Sequence, residues 1–385
     1  MRRLAIAAAL VIAVVGGVYV WALLSTDRST LARALVWREA DIGDQARFPA
    51  RTIRAGTVAS PLPVAATPDR AIDDALRGTD TRAFVVVRDD RIVYERDAGE
   101  RTRETSFSVA KSFVSTLVGL AIAQGKIGSV DDPLTRYVPE LARRDPRFAR
   151  ITLRDLLTMR SGLRYRESDL PWPWGDDTDT YYGVDLRAVA LSAKIEEPPG
   201  RHWHYNNYNP LLLGLVLERA TEQSVSAFMS AALWRPLGAA ADATWSLDSD
   251  RSGFEKLESG LNAIARDYAR FGLLFLHDGR DVVPRAWVRE ATRAQTPTDY
   301  ANPYGYFWWV DGRRPDRFYA LGNYGQYVYV DPVARVVIVR LGSDWGYENE
   351  RWLALFRSIA DRSSASAQAA ASPSHRSRQR LVAVG

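Results

Sequence analysis

Strand-like and helix-like stretches are unevenly distributed along this chain, and that distribution limits the folds open to it. Residues 83–87 and 91–94 are short β-branched runs on either side of Asp89-Asp90 and read as a hairpin. Residues 326–330 and 336–341 flank Asp331-Pro332 and read as a second hairpin. Between the two, residues 108–124, 153–159, 211–218, 225–233 and 261–276 space their apolar side chains as helices do. Residues 348–361 follow as an amphipathic helix with Trp352, Leu353, Leu355, Phe356 and Ile359. The expected class is α+β: an antiparallel sheet from both chain ends, flanked by helices, with an inserted, mainly helical lobe and a cleft between the lobes.

With 385 residues, 46% of them hydrophobic and 25% charged, the chain can bury the core of one large domain or two intimate subdomains. It has no cysteine, which excludes disulfides, thiolate catalysis and cysteine-held metal or iron–sulfur centres. The net charge of +5 sits mostly at the ends: Arg2 and Arg3 at the start, and Arg362, Arg376, Arg378 and Arg380 in a tail without acids. The body is close to neutral and lacks the clustered cations of a nucleic-acid groove, so no nucleic-acid partner is expected.

Residues 4–24, LAIAAALVIAVVGGVYVWALL, are uncharged. At ~1.5 Å per residue they match a hydrocarbon core of about 30 Å. Arg2 and Arg3 orient the N-terminus toward the cytoplasm, and Tyr19 and Trp21 suit an interfacial belt. Ala22-Leu23-Leu24 is a poor signal-peptidase site. The expectation is one transmembrane helix in the inner membrane with an extracytoplasmic or periplasmic body; secretion after cleavage is the alternative. Polar, proline-bearing residues 25–69 read as a linker, residues 70–361 as the folded domain, and residues 362–385 as a disordered tail.

Only four lysines occur, and one makes the single S-x-x-K of the chain, Ser108-Val109-Ala110-Lys111. At i, i+3 on a helix the two side chains share a face. The apolar residues that follow would bury Lys111, disfavour its ammonium and make it a base for the Ser108 hydroxyl, while the helix N-terminus favours developing negative charge. Alone, the same four residues equally describe a helix cap and a lysine that snorkels to solvent. A second element is Tyr205-Asn206-Asn207, a phenol that can relay a proton and an amide that can hold a lysine or a carbonyl. Tyr300-Ala301-Asn302 offers the same pattern; Tyr205 is preferred because it leads into a helix of the inserted lobe. A third element, Gly322-Asn323-Tyr324-Gly325-Gln326, enters a strand whose edge N–H could join that of Ser108 in an oxyanion hole, and it also fits an ordinary turn.

In this order, the three elements resemble the serine β-lactamase and penicillin-binding superfamily, nearest to class C β-lactamases, class C-like carboxylesterases and 6-aminohexanoate-dimer hydrolases. Stretches 107–113, 151–163 and 267–272 are similar to that superfamily as well, and the resemblance covers about residues 70–361. It implies a β-lactamase/transpeptidase-like fold and an acyl-enzyme on Ser108. Lys111 would be the base, Tyr205 a proton-transfer partner, Asn207, Asn323 and Gly325 substrate-orienting residues, and the N–H groups of Ser108 and Gln326 the oxyanion hole. Asn323 stands where β-lactamases carry lysine and offers no cation to a β-lactam carboxylate. The implied substrate is therefore a small ester or linear amide, cleaved without cofactor or metal; a tethered penicillin-binding or sensor module is the alternative, and the oligomeric state is open.

Other features fit this scheme less directly. His202-Trp203-His204 places two imidazoles on one side of an extended segment but lacks a third ligand nearby, and no G-x-S-x-G supports a Ser-His-Asp triad. Trp172, Trp174, Tyr181, Tyr182, Phe307, Trp308 and Trp309 are divided between packing and cleft lining. Asp176, Asp177 and Asp179 form a solvated acidic loop or attract a substrate amine.

Overall fold

In a computed structural model, residues 2–57, 61–97, 102–167 and 174–371 are described, without the side chains of residues 2, 5, 8, 97 and 363–371. The elements are α1 (Arg2–Leu23), α2 (Thr30–Trp37), β1 (Ala50–Ile53), α3 (Arg70–Leu76), β2 (Thr81–Arg88), β3 (Arg91–Asp97) and β4 (Glu104–Thr105). There follow α4 (Ala110–Ala123), α5 (Pro139–Arg144), α6 (Leu153–Leu157), α7 (Asp176–Tyr182), α8 (Leu186–Ser192), α9 (Tyr208–Thr221) and α10 (Val225–Met229). The chain closes with β5 (Ala243–Ser246), β6 (Leu261–Ala263), α11 (Ala265–Leu276), α12 (Arg285–Thr292), β7 (Trp309–Val310), β8 (Phe318–Gly322), β9 (Gln326–Asp331), β10 (Val336–Gly342) and α13 (Asn349–Ala371).

Both expected hairpins form, and they lie side by side. A six-stranded sheet runs β3-β2-β10-β9-β8-β7, and β10 pairs antiparallel with β2 so that Val339 faces Val85. Asp89 and Asp90 both have positive φ, 44° and 63°, as a two-residue type I′ turn requires. Strand alternation divides the apolar residues between two faces. Phe84, Val86 and Ile338 pack with Trp352, Leu353 and Phe356 of α13 and Ile72 and Leu76 of α3. Val85, Val87, Val337 and Val339 join the larger core with α4 and α11. A Cβ on Gly272 of α11 would stand 2.5 Å from Val337 Cγ1, so that helix lies almost directly on β10. Phe113 of α4 stacks on Phe271 of α11 with centroids 3.7 Å apart, which joins the sheet layer to the helix that follows Ser108.

Four expectations are corrected. Residues 25–69 are not a free linker: α2, a 3-10 turn at Ile42–Ala46 and β1 are folded onto the domain, and β1 pairs with β5 as the edge of a second sheet, β1-β5-β6-β4. An eight-residue helix such as α2 is too short to persist alone. It is held by the buried Arg33 guanidinium, which donates to the carbonyls of Thr26 (2.6 Å), Tyr182 (3.2 Å), Gly183 (3.2 Å) and Asp248 (2.6 Å). Second, the stretch expected as one helix at 261–276 begins as strand β6, because residues 261–263 pair with both β4 and β5. Third, α13 continues to Ala371, past the expected boundary, while residues 372–385 lie outside those described. Fourth, the expected transmembrane span is not supported: among the described residues no helix is long and apolar enough to cross a membrane. That span includes Ala5 and Ala8, whose side chains lie outside those described.

Candidate active site

Ser108 lies in a 3-10 turn, Phe107–Val109, that leads into α4. The N-cap of α4 is Val109 with no side-chain cap bond, so Ser108 does not serve as the cap. Phe107 just before it has φ 43°, a strained value for a non-glycine residue that turns the serine out of the helix path. Lys111 does not snorkel. It is 1% exposed, and its Nζ donates to Ser108 Oγ at 2.7 Å and to the Glu258 carbonyl at 2.9 Å. Burial lowers its pKa to about 7, against the opposing negative charges of Glu258 and Glu167. A large fraction of Lys111 is thus neutral near neutral pH and able to accept a proton.

Tyr205 is the third member of this group. The Lys111 Nζ lies 4.9 Å from the centre of its ring. Burial raises the phenol pKa, against a hydrogen bond from the Ser108 side chain that lowers it. The phenol therefore holds its proton at neutral pH, which suits a donor and leaves Lys111 as the base. Asn206 positions it: its Oδ1 accepts from Tyr208 N–H at 2.8 Å and its Nδ2 donates to the Leu163 carbonyl at 3.1 Å. Asn207 lines the same cavity as Ser108 and donates to the Tyr165 hydroxyl at 2.9 Å, while its buried Oδ1 has no partner among the described residues. Tyr300, in the competing element, is 68% exposed and does not line that cavity.

The strand-entry element is arranged differently from the expectation. Gly322 ends β8 against the Ser108 turn, and a Cβ there would lie 2.4 Å from the Ser106 carbonyl oxygen and 2.9 Å from Ser108 N. Asn323 follows and lines the cavity. Tyr324 and Gly325 then take φ 59° and 68° and reverse the chain, so Gln326 lies one strand further away, paired with Gly322 in the ladder. Gln326 is 1% exposed, and its side chain braces the turn by donating to the carbonyls of Asn323 (3.1 Å) and Gly342 (2.7 Å). Gly325 also faces away from the site, since Arg340 Nη1 would lie 2.2 Å from its Cβ. The expected roles of Gln326 and Gly325 at the substrate are therefore not met: strand β8 before the turn, not β9 after it, touches Ser108.

The cavity in front of Ser108 has a volume of about 520 Å³. Part of its wall was not foreseen from the sequence. Arg38, Glu39 and Ala40 come from the segment read as a linker. They are tied in by Tyr182 Oη donating to the Arg38 carbonyl at 2.8 Å and by Tyr324 Oη donating to the Ala40 carbonyl. Available sequence signals were Ser29 ahead of the apolar run Thr30–Trp37, which does cap α2, and Asp41-x-x-Asp44, a capping box. Glu167, Tyr165 and Glu258 also line the cavity. Of the acidic loop, Asp177 does so, whereas Asp176 accepts from Tyr208 Oη at 2.9 Å. Tyr181 and Tyr182 are cavity residues, Phe307 and Trp308 are core, Trp309 stacks on Tyr205, and Trp174 is 72% exposed. Trp172 lies outside the described residues. His202 is exposed and pairs with Glu197 at 2.7 Å, apart from this cavity.

A serine in a strained turn, a buried lysine with lowered pKa on its hydroxyl and a protonated tyrosine beside both are the parts of a serine acyl hydrolase. Comparison with known proteins gives the lineage. The Beta-lactamase family model matches residues 69–359, and the chain belongs to that family; it is a serine hydrolase. It is 28% identical over 315 residues to the 6-aminohexanoate-dimer hydrolase of Paenarthrobacter ureafaciens, covering 73% of this chain and 77% of that one. To esterase EstB of Burkholderia gladioli it is 32% identical over 198 residues, 46% of this chain and 50% of the esterase. Among solved structures, a Bacillus anthracis protein provisionally assigned as a 6-aminohexanoate-dimer hydrolase superposes with a TM-score of 0.73 at 24% identity, over 82% of this chain and 91% of that one. A class C β-lactamase variant superposes at 0.58 with 16% identity, over 77% and 96%. These superpositions establish a β-lactamase/transpeptidase-like α+β fold.

Proposed function

We propose that this chain hydrolyses small esters or linear amides through an acyl-enzyme on Ser108, as an amidase like 6-aminohexanoate-dimer hydrolase or as a carboxylesterase. The observation that carries the reading is the 2.7 Å hydrogen bond between a buried Lys111 Nζ and Ser108 Oγ. Lys111 takes the Ser108 proton as Oγ bonds to the substrate carbonyl carbon. The oxyanion is held by the backbone N–H groups of Ser108 and Asn323; the closeness of Gly322 to Ser108 supports this second donor over Gln326. As the bond to the leaving group breaks, Tyr205 protonates that group and recovers a proton from Lys111. Water then repeats the sequence on the acyl-enzyme. Asn207, with its unpartnered Oδ1, orients the substrate. The names of the two relatives support amide and ester substrates.

The same proposal includes the setting. Arg2 and Arg3 ahead of the uncharged residues 4–24 support export, with the catalytic domain periplasmic or otherwise extracytoplasmic. The test is labelling of the whole protein in detergent with a fluorophosphonate, beside Ser108→Ala. Labelling is expected only in the parent chain, and equal labelling of both would refute the assignment. A panel of p-nitrophenyl esters, linear amides, D-amino-acid peptides and nitrocefin then identifies the substrate class. A burst of acylation without turnover on every member would instead identify a penicillin-binding or sensor module.

A further inference from the structure

Two of the four lysines are buried, and only one belongs to a motif. Lys256 is 1% exposed, as is Glu258 two residues on. Lys256 Nζ donates to Glu258 Oε1 at 2.8 Å and to the Tyr181 carbonyl. It also lies over the rings of Tyr181, at 4.3 Å, and Phe48, at 4.5 Å, so two aromatic faces complete the ammonium's surroundings. Ser259 Oγ donates to the same Glu258 oxygen at 2.7 Å. The backbone of Glu258 meanwhile accepts from Lys111 Nζ at 2.9 Å. One residue therefore touches the ammonium of Lys256 with its side chain and the amine of Lys111 with its carbonyl.

We propose that Lys256 and Glu258 form a positioning pair for Lys111: Lys256 clamps Glu258, the Glu258 carbonyl fixes the direction of the Lys111 side chain, and the Glu258 carboxylate sets the electrostatic potential at its nitrogen. This rests on the reading of Lys111 as the base for Ser108. A buried ion pair is a poor source of net stability, since desolvation offsets most of the attraction. Placed against a catalytic amine, it has a direct consequence. A negative charge favours the ammonium form of Lys111 and opposes the desolvation that expels its proton. Without Glu258, Lys111 would be a weaker base with a less defined orientation; with the carboxylate unclamped, its position would vary. The charged and titratable groups around the pair are Glu258, Glu167 and Tyr205 on Lys111, and Glu258, Arg33, Asp248 and Tyr181 on Lys256. The Phe48 ring belongs to the N-terminal segment, which the family model does not include. That segment thus reaches the base through Lys256.

The experiment measures fluorophosphonate acylation rate and ester kcat/KM against pH for the whole protein, for Glu258→Gln and for the neutral pair Lys256→Met with Glu258→Gln. Removing the carboxylate lets Lys111 lose its proton sooner, so the rising limb is expected to move to lower pH by about one unit in both variants. Lys256→Arg, which keeps the cation, should leave the limb in place. If Glu258→Gln does not fold, because it leaves the Lys256 charge buried and unpaired, the neutral pair supplies the reading. An unmoved limb in the folded variants, with only the melting temperature lowered, would reduce the pair to a structural role and overturn the proposal. Absence of any Ser108 acylation in the parent chain would overturn the nucleophile assignment instead, a distinguishable failure.

Discussion

Lys111 and Lys256 are buried to the same degree and both touch Glu258, yet their surroundings differ. Around Lys256 the fold supplies a carboxylate oxygen, a carbonyl and two ring faces, all of which favour a cation. Around Lys111 it supplies a hydroxyl, a carbonyl, the more distant Tyr205 ring and an apolar helix, and the Glu258 carboxylate is engaged by Lys256. Desolvation is the first influence on both pKa values and lowers both. What separates them is the counter-ion. The difference teaches that burial acts on both lysines, while the placement of the ion pair distinguishes them.

The most severe way to break this comparison is to remove the base. Lys111→Met should lower ester kcat/KM by roughly 10³-fold, within the range for a positioned general base, as read by p-nitrophenol release. The same variant should melt at a higher temperature at pH 7. In the fold Lys111 loses its proton near 7, whereas in the unfolded chain it does so near about 10.4. Between those values the unfolded chain binds the extra proton, so parental stability rises with pH. The advantage of the methionine variant should be greatest below pH 7 and shrink as pH approaches 10. Equal melting temperatures throughout would contradict a neutral Lys111.

Gly322→Ala tests the contact between β8 and the nucleophile turn. Its methyl group would press on the Ser106 carbonyl and the Ser108 nitrogen. Displacing the turn from the Asn323 N–H should slow acylation by about 100-fold. A rate within threefold of the parent would show that the second oxyanion donor lies elsewhere. The smallest catalytic effect is expected at the Lys256 end, where Phe48→Ala removes one of the two rings. Loss of a ring that is 6% exposed should cost roughly 3 kcal/mol in denaturant unfolding. Acylation should slow only severalfold, since Glu258 still holds Lys256.

Legibility followed chain separation. Ser108 and Lys111 are three residues apart, so helical geometry alone brings them together, and Tyr205 was recognisable by the helix that follows it. The two hairpins were legible because short turns, two residues between β2 and β3 and four between β9 and β10, link each strand to its sequential partner. Residues 261–263 were misread because their strand identity depends on pairing with β4 and β5, each more than ten residues away. Gln326 was misplaced for a similar reason: β8, which precedes the turn, has few residues and no hairpin signal of its own, so the strand in contact with Ser108 was taken to be the one after it. The N-terminal segment was missed because its folding depends on one arginine reaching four carbonyls from Thr26 to Asp248.

Sequence by itself determined the sheet-forming ends, the helical insert, the pairing of Ser108 with Lys111 and the absence of thiol chemistry, because each depends on local periodicity, spacing or composition. Tertiary structure alone decided that Lys256 pairs with Glu258 beside Lys111, that the end of β8 at Gly322 and not Gln326 lies against the Ser108 turn, and that the segment before residue 69 forms part of the cavity wall. Each of those depends on which groups share a low-dielectric space, and residues far apart in the chain come to share one only when the core closes around them.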